Sequence, residues 1–201
     1  RSENRFLYES DKEALLINLA INKKVHSYIN YLSTFINLDN VENILDFGSG
    51  SGDFGFVLKK YFKNINLHAV EQDIKSIKII NDRGYSLLNS LENTKVQFDI
   101  ILCFHSLEHL NNLNLFSKLV NLLSDRGVIY FEVPNCEFNE NFLNRPYDSP
   151  HLLFFNKKNI TNMAKFFNLE IINISSTGYD LEIAFDSQFN SHKIYKNWKP
   201  N

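Results

Sequence analysis

Ile44-Leu45-Asp46-Phe47-Gly48-Ser49-Gly50-Ser51-Gly52-Asp53-Phe54 is the stretch that decides the fold. A short apolar run enters closely spaced glycines, and Phe54 to Phe62 then shows helical periodicity. Glycines between a strand and a helix allow a tight turn and let a ligand approach the backbone closely. The next apolar run, Leu67-His68-Ala69-Val70-Glu71, ends on a carboxylate roughly 20 residues further on. An acid at that point can accept hydrogen bonds from both ribose hydroxyls of an adenosine ligand. A purely structural turn, with Glu71 only ending a strand, is the competing reading. The strand-loop-helix-strand-acid order argues against it.

The pattern repeats downstream. Ile74 to Ile80 reads as a helix closed by Arg83-Gly84, and Tyr85-Ser86-Leu87-Leu88 as a third strand. Phe98-Asp99-Ile100-Ile101-Leu102-Cys103 is the clearest buried strand. Leu107 to Leu123 reads as helix in one or two pieces, and Gly127 to Val133 as a fifth strand stopped by Pro134. Alternating strands and helices imply a parallel sheet covered on both faces. Leu169 to Ser175 and Leu181 to Phe185 are joined too closely for a crossover, which predicts an antiparallel hairpin. Upstream, Leu15, Leu16, Leu19, Val25, Ile29, Leu32 and Ile36 recur at helical spacing, with Asp11 as N-cap. The expected organisation is a helical cap over 1–40, a ligand-binding domain over 41–188 and a tail over 189–201. Within the domain, 134–156 is a long irregular loop of the kind that usually carries function.

Composition excludes several classes. Hydrophobic residues make up 44% and charged residues 22%, as in a globular domain with a real core. With 21 basic and 23 acidic side chains the formal charge is -2, which gives no electrostatic case for a nucleic-acid partner. Lys193, Lys196 and Lys199 read as a solvated tail. No apolar run approaches the ~20 residues needed to span a membrane. Cys103 and Cys136 make neither a disulfide framework nor a metal-ligand spacing, so a reducing, cytoplasmic setting is expected.

Three adenosine ligands compete for the loop. A Walker phosphate loop is excluded because no Lys-Ser or Lys-Thr follows the glycines. Gly50-Ser51-Gly52-Asp53-Phe54-Gly55 satisfies the dinucleotide fingerprint, so an NAD-binding oxidoreductase must be weighed. Asp46 and Asp53 oppose it, since carboxylates at both ends of the loop repel a pyrophosphate. They suit the sulfonium and ammonium of S-adenosylmethionine.

At this point the chain resembles the class I S-adenosylmethionine-dependent methyltransferases. Ile44 to Gly52 is similar to their motif I, and Val70-Glu71-Gln72-Asp73 to their acidic second motif. Phe104-His105-Ser106-Leu107-Glu108-His109-Leu110 resembles a large subgroup with a Leu-Glu-His signature after strand four. Val133-Pro134-Asn135 and His151-Leu152-Leu153-Phe154-Phe155 also match; Asp125-Arg126 departs from the usual turn. The resemblance covers about residues 42–178. It implies a Rossmann-like, seven-stranded, mostly parallel sheet with an antiparallel C-terminal hairpin. It implies Asp46, Phe47, Gly48, Ser49, Gly50 and Gly52 around the methionine part of the cofactor. Glu71 would hold the ribose and Gln72 would lie beside the adenine. Phe104 and His105 would flank the methyl donor end, and S-adenosylhomocysteine would be the product.

Methyl transfer needs alignment, exclusion of water and, for a hydroxyl acceptor, a base. Histidine suits that last role near neutral pH. His105 is the first candidate, at the mouth of the expected pocket. His151, in the long loop, is the second. His109 is the third, and at i+4 from His105 it would share a helical face with it. Arg145, Tyr147 and Asp148 are further candidates for contact with the acceptor. Glu108 reads as a local hydrogen-bonding residue. No close pair of Asp residues marks a metal site, and no metal is expected. The expected function is methyl transfer to a small-molecule acceptor, an oxygen of a sugar, nucleotide-sugar or related metabolite. C- or N-methylation and a non-catalytic cofactor-binding protein are the alternatives.

Overall fold

Ile100, Ile101, Leu102 and Cys103 are all fully buried, successive residues facing opposite sides of their strand. A strand with both faces out of water needs helices on both sides, and only a parallel sheet with crossovers provides them. The computed structural model describes residues 23–136 and 151–176. It contains five strands: β1 Asn43–Phe47, β2 Asn66–Val70, β3 Ser86–Leu87, β4 Phe98–Phe104 and β5 Leu123–Glu132. Their order is β3-β2-β1-β4-β5, with every pairing parallel.

The helices are α1 over residues 23–33, α2 Asp53–Tyr61, α3 Ile74–Asp82, α4 Asn114–Asn121 and α5 Lys157–Phe166. In α1, Val25, Ile29 and Leu32 share one face and join Ile44, Phe54, Val57, Leu58, Ile100 and Leu102 in one core. The α3 start is closed by Asp73, whose side chain accepts from the Ser76 amide at 2.9 Å. Asp99 ties β4 to the entry of β1, accepting from the Glu42 and Asn43 amides at 2.9 and 3.0 Å.

The chain divides into two units, Arg1–Ile160 and Thr161–Asn201. In the second, the turn after α5 has Asn168 at φ 54, and the Leu169 amide donates to the Ala164 carbonyl. That is the left-handed stop Asn tolerates.

Several expectations are corrected. Among the described residues the sheet has five parallel strands; the expected antiparallel hairpin that would complete seven lies partly outside them. Residues 169–175 form no strand, and their expected partner Leu181–Phe185 lies outside the described residues. Ile172 is 56% exposed. The fifth strand starts at Leu123 rather than Gly127, because Phe98 pairs with Leu123 before the register shifts to Ile100 opposite Val128. The helix expected from Leu107 in one or two pieces is two, a 3-10 turn at Leu107–His109 and α4, which stops at Asn121 rather than Leu123. Asp11, Leu15, Leu16 and Leu19, most of the 134–156 loop with Arg145, Tyr147 and Asp148, and Lys193, Lys196 and Lys199 lie outside the described residues.

Candidate active site

From β1 the chain builds outward to β2 and β3, then returns to place β4 on the other side of β1. The carboxyl ends of β1 and β4 therefore border a switch point, where open α/β sheets bind ligands. Asp46-Phe47-Gly48 leaves one of those strands and Phe104-His105-Ser106 the other.

The two exits touch. A Cβ on Gly48 would lie 2.6 Å from Ser106 Cβ, so only glycine lets the loop pass that turn. Gly48, Gly50 and Gly52 all have positive φ, at 72°, 53° and 68°. Across the loop, Glu71 accepts from the Gly50 amide at 2.6 Å through Oε2, and from the Gln72 and Asp73 amides through Oε1. An ionised carboxylate has about four acceptor positions, so Oε2 keeps capacity for a ligand hydroxyl.

Asp46 is 3% exposed. Burial pushes its carboxyl up to about 7; the Tyr85 hydroxyl opposes the rise, and the nearby Glu71 and Asp53 add to it. The Tyr85 hydroxyl donates to the Gly52 carbonyl at 2.9 Å and lies 3.5 Å from Asp46 Oδ2. Asp53 is already engaged: Arg83 Nη1 lies 2.5 Å from its Oδ1 and also bonds the Ser51 carbonyl. The charge that would repel a pyrophosphate is therefore compensated at Asp53 and uncompensated at Asp46.

These residues fit the sulfonium cofactor. A buried carboxylate short of a cationic partner suits an ammonium group. Ser49 Oγ is buried with no hydrogen-bond partner among the described residues, an orphan that a ligand would satisfy. A Cβ on Gly50 would meet nothing within 4 Å, so the loop faces open space there.

On the β4 side, His105 has φ 51°, off the helical backbone that the i, i+4 pairing with His109 assumed. The sequence expectation is corrected accordingly: His109 instead packs edge-on against His151, ring centroids 5.0 Å apart. The His105 ring sits between two carboxylates, Nδ1 3.4 Å from Glu108 Oε1 and Nε2 3.1 Å from Glu132 Oε1. Glu108 foremost, with Glu132, raises its pKa to about 9 against a smaller lowering by burial. Burial alone would raise Glu132; His105, Tyr28 and Lys24 together hold it below the usual carboxylate range. Tyr28 on α1 donates its hydroxyl to Glu132 Oε2.

Phe104 is spent on packing: its ring stacks on Tyr28 at 5.1 Å and contacts Phe54 and Tyr130. Its backbone still forms the crevice edge. Gln72 is exposed beside Glu71. Cys103 is fully buried, and burial pushes its thiol up, away from reactivity.

Sequence reasoning passed over Glu132, Tyr28, Tyr85 and Arg83. Glu132 carried one usable signal, a charged residue at the carboxyl end of an apolar strand. Tyr28 carried none, standing 104 residues from its partner.

A family model described as a methyltransferase domain matches residues 19–174. The chain belongs to that methyltransferase family, and its site residues fit S-adenosylmethionine as cofactor. No protein of curated function matches the sequence. Among solved structures it is similar to a SAM-dependent methyltransferase from Archaeoglobus fulgidus, with TM-score 0.60 and 19% identity over 88% of this chain and 81% of that one. It is similar to coclaurine N-methyltransferase bound to N-methylheliamine and S-adenosylhomocysteine, at 0.58 and 14% over 81% and 52%. It is similar to the plantazolicin methyltransferase BpumL with S-adenosylhomocysteine, at 0.57 and 15% over 94% and 83%. The matched region is thus about half the length of the coclaurine enzyme. Among the described residues no helix is long and apolar enough to cross a membrane.

Proposed function

We propose that the acceptor is a hydroxyl of a sugar, nucleotide-sugar or related biosynthetic metabolite, and that the proton of this hydroxyl passes to the neutral form of His105, the fraction of which grows as pH rises toward about 9. Asp46, Phe47, Gly48, Ser49, Gly50 and Gly52 hold the methionine part of the cofactor, Glu71 the ribose, and Gln72 lies beside the adenine. The cofactor, when bound, supplies the activated methyl group. What remains for this chain is to align the acceptor, exclude water and accept a proton.

The observation that carries the reading is His105 itself. It stands at the end of β4, against the glycine loop through neighbouring Ser106, with its side chain 49% exposed and its ring oriented by a carboxylate. A ring fixed by a carboxylate and accessible at the carboxyl end of the sheet is the arrangement of a positioned proton acceptor. An amine or carbon acceptor has less need of it. Tyr28 and Lys24 hold Glu132 from the other side, so the N-terminal helix contributes to the acceptor side.

The experiment is an acceptor screen over sugars and nucleotide-sugars, reading S-adenosylhomocysteine release, with the product's methyl position assigned by NMR. A methyl on oxygen, with turnover lost in His105→Ala, is expected. A methyl on nitrogen or carbon would overturn the acceptor assignment.

A further inference from the structure

Glu108, His109 and His151 form a cluster that the proposed methyl transfer does not use. From the arrangement of these three side chains we infer that this protein binds one divalent first-row transition ion, of the Zn²⁺, Mn²⁺ or Fe²⁺ class. One carboxylate oxygen of Glu108 and one ring nitrogen each of His109 and His151 all lie within 4.8 Å of one another. Ligand atoms around such an ion sit about 3–3.4 Å apart, given bonds of ~2.0–2.2 Å, so modest side-chain rotation closes the site.

A second observation points to the same place. The Glu108 side chain is 2% exposed, and its Oε1 is engaged by His105 at 3.4 Å. Its Oε2 is buried and has no hydrogen-bond partner among the described residues. A buried carboxylate oxygen left unpartnered is costly, and a cation removes that cost. His105 on the other oxygen is the outer hydrogen bond that orients a metal-binding carboxylate.

The backbone holds the donors in register. The amides of Leu152 and Leu153 both donate to the Glu108 carbonyl, at 2.7 and 3.0 Å. They bind the segment carrying His151 to the turn carrying His109. Further along, Asn135 bridges Phe155, and the Cys136 amide donates to the Phe155 carbonyl at 2.7 Å. Forty-two residues after His109, His151 is thus brought back and secured by the residues that follow it.

Two imidazoles and one carboxylate select the ion. Mg²⁺ and Ca²⁺ prefer all-oxygen sets, whereas imidazole suits the transition ions. Three protein ligands leave at least one position open, as in catalytic rather than structural sites. His109 is exposed, so that position is reachable. An acceptor oxygen there would be polarised and oriented, a consequence that rests on the hydroxyl reading above; the metal site itself does not.

The test uses the full chain stripped of metal, titrated with Zn²⁺, Mn²⁺ and Co²⁺ by calorimetry, and with Co²⁺ by visible absorption. One equivalent should bind, with Mg²⁺ failing to compete. His109→Ala and His151→Ala should each weaken binding by about tenfold or more, in line with the effect of disturbing a metal's ligand surroundings. Because Glu108 is buried, His151→Gln with unchanged melting and cofactor affinity serves as the control for folding. Absence of stoichiometric binding, or unchanged affinity in the His109→Ala/His151→Ala double variant, overturns the site. If an oxygen acceptor is found and no ion binds, this inference fails alone. If an ion binds and the methyl goes to nitrogen or carbon, the hydroxyl reading fails alone.

Discussion

Glu71, the first acid after β2, accepts a hydrogen bond from the Gly50 amide at 2.6 Å, joining the ends of β1 and β2 across the glycine loop. One carboxylate thus shapes the loop and offers itself to the ligand. Glu71→Ala should weaken S-adenosylmethionine binding by roughly tenfold or more, because a hydrogen bond to a charged group is worth ~1.5–3 kcal/mol. Calorimetry on the folded variant measures it. Unchanged affinity would reduce Glu71 to a loop fastener.

Gly48 and Gly50 both have positive φ but differ in their surroundings, so their alanine variants should differ. A Cβ on Gly48 meets Ser106 Cβ at 2.6 Å, and one on Gly50 meets nothing within 4 Å. Gly50→Ala should cost only backbone strain, about 1 kcal/mol. Gly48→Ala should cost that plus overpacking, about 2–4 kcal/mol in all. Urea denaturation of both decides. Equal losses would mean that the loop does not approach β4 as described.

Asp46 sets a pH dependence. Its folded pKa is about 7, against ~3.9 unfolded. Between those values the folded chain holds a proton that the unfolded chain has released. Stability from this group therefore falls as pH rises from about 4 to about 7, and levels off above. An ammonium group beside Asp46 favours its ionised form, so cofactor binding at pH 6 should release most of one proton. Calorimetry in buffers of different ionisation heat measures that release. Asp46→Asn should abolish it, raise the melting temperature above pH 7 and lower cofactor affinity. Release that persists in Asp46→Asn would assign the proton elsewhere.

What was legible in the sequence was whatever is local. The glycine loop, the acid after β2 and the buried run of β4 are contiguous stretches whose residue types answer to backbone geometry. The site's acceptor side is not local. His105 meets Glu132 because Phe104 and Glu132 are register partners across the sheet, 27 residues apart in sequence for the bonded pair. The i, i+4 expectation for His105 and His109 failed because one left-handed residue ends the periodicity on which it relied. His151 reaches His109 only through backbone bonds to the Glu108 carbonyl, which no side-chain spacing encodes.

The last prediction separates chemistry from cofactor binding. His105 bonds Glu108 and Glu132, whereas Asp46, Gly50 and Glu71 belong to the cofactor side. If the His105–Glu132 pair takes the acceptor's proton, His105→Ala should lower turnover by ~100-fold or more while cofactor affinity stays nearly constant. Glu132→Gln keeps the size and a hydrogen-bonding oxygen but loses the charge that orients the ring. It should fall between wild type and His105→Ala, again at constant cofactor affinity. Tyr28→Phe removes only the hydroxyl on Glu132 Oε2 and should have the smallest effect of the three. Single-turnover kinetics with the acceptor from the screen, alongside calorimetric cofactor binding, give both quantities for each variant. A graded loss in that order places the proton acceptor on this pair. Near-normal turnover in His105→Ala would leave alignment alone to carry the reaction. A loss of turnover matched by an equal loss of cofactor affinity would move His105 to the cofactor site.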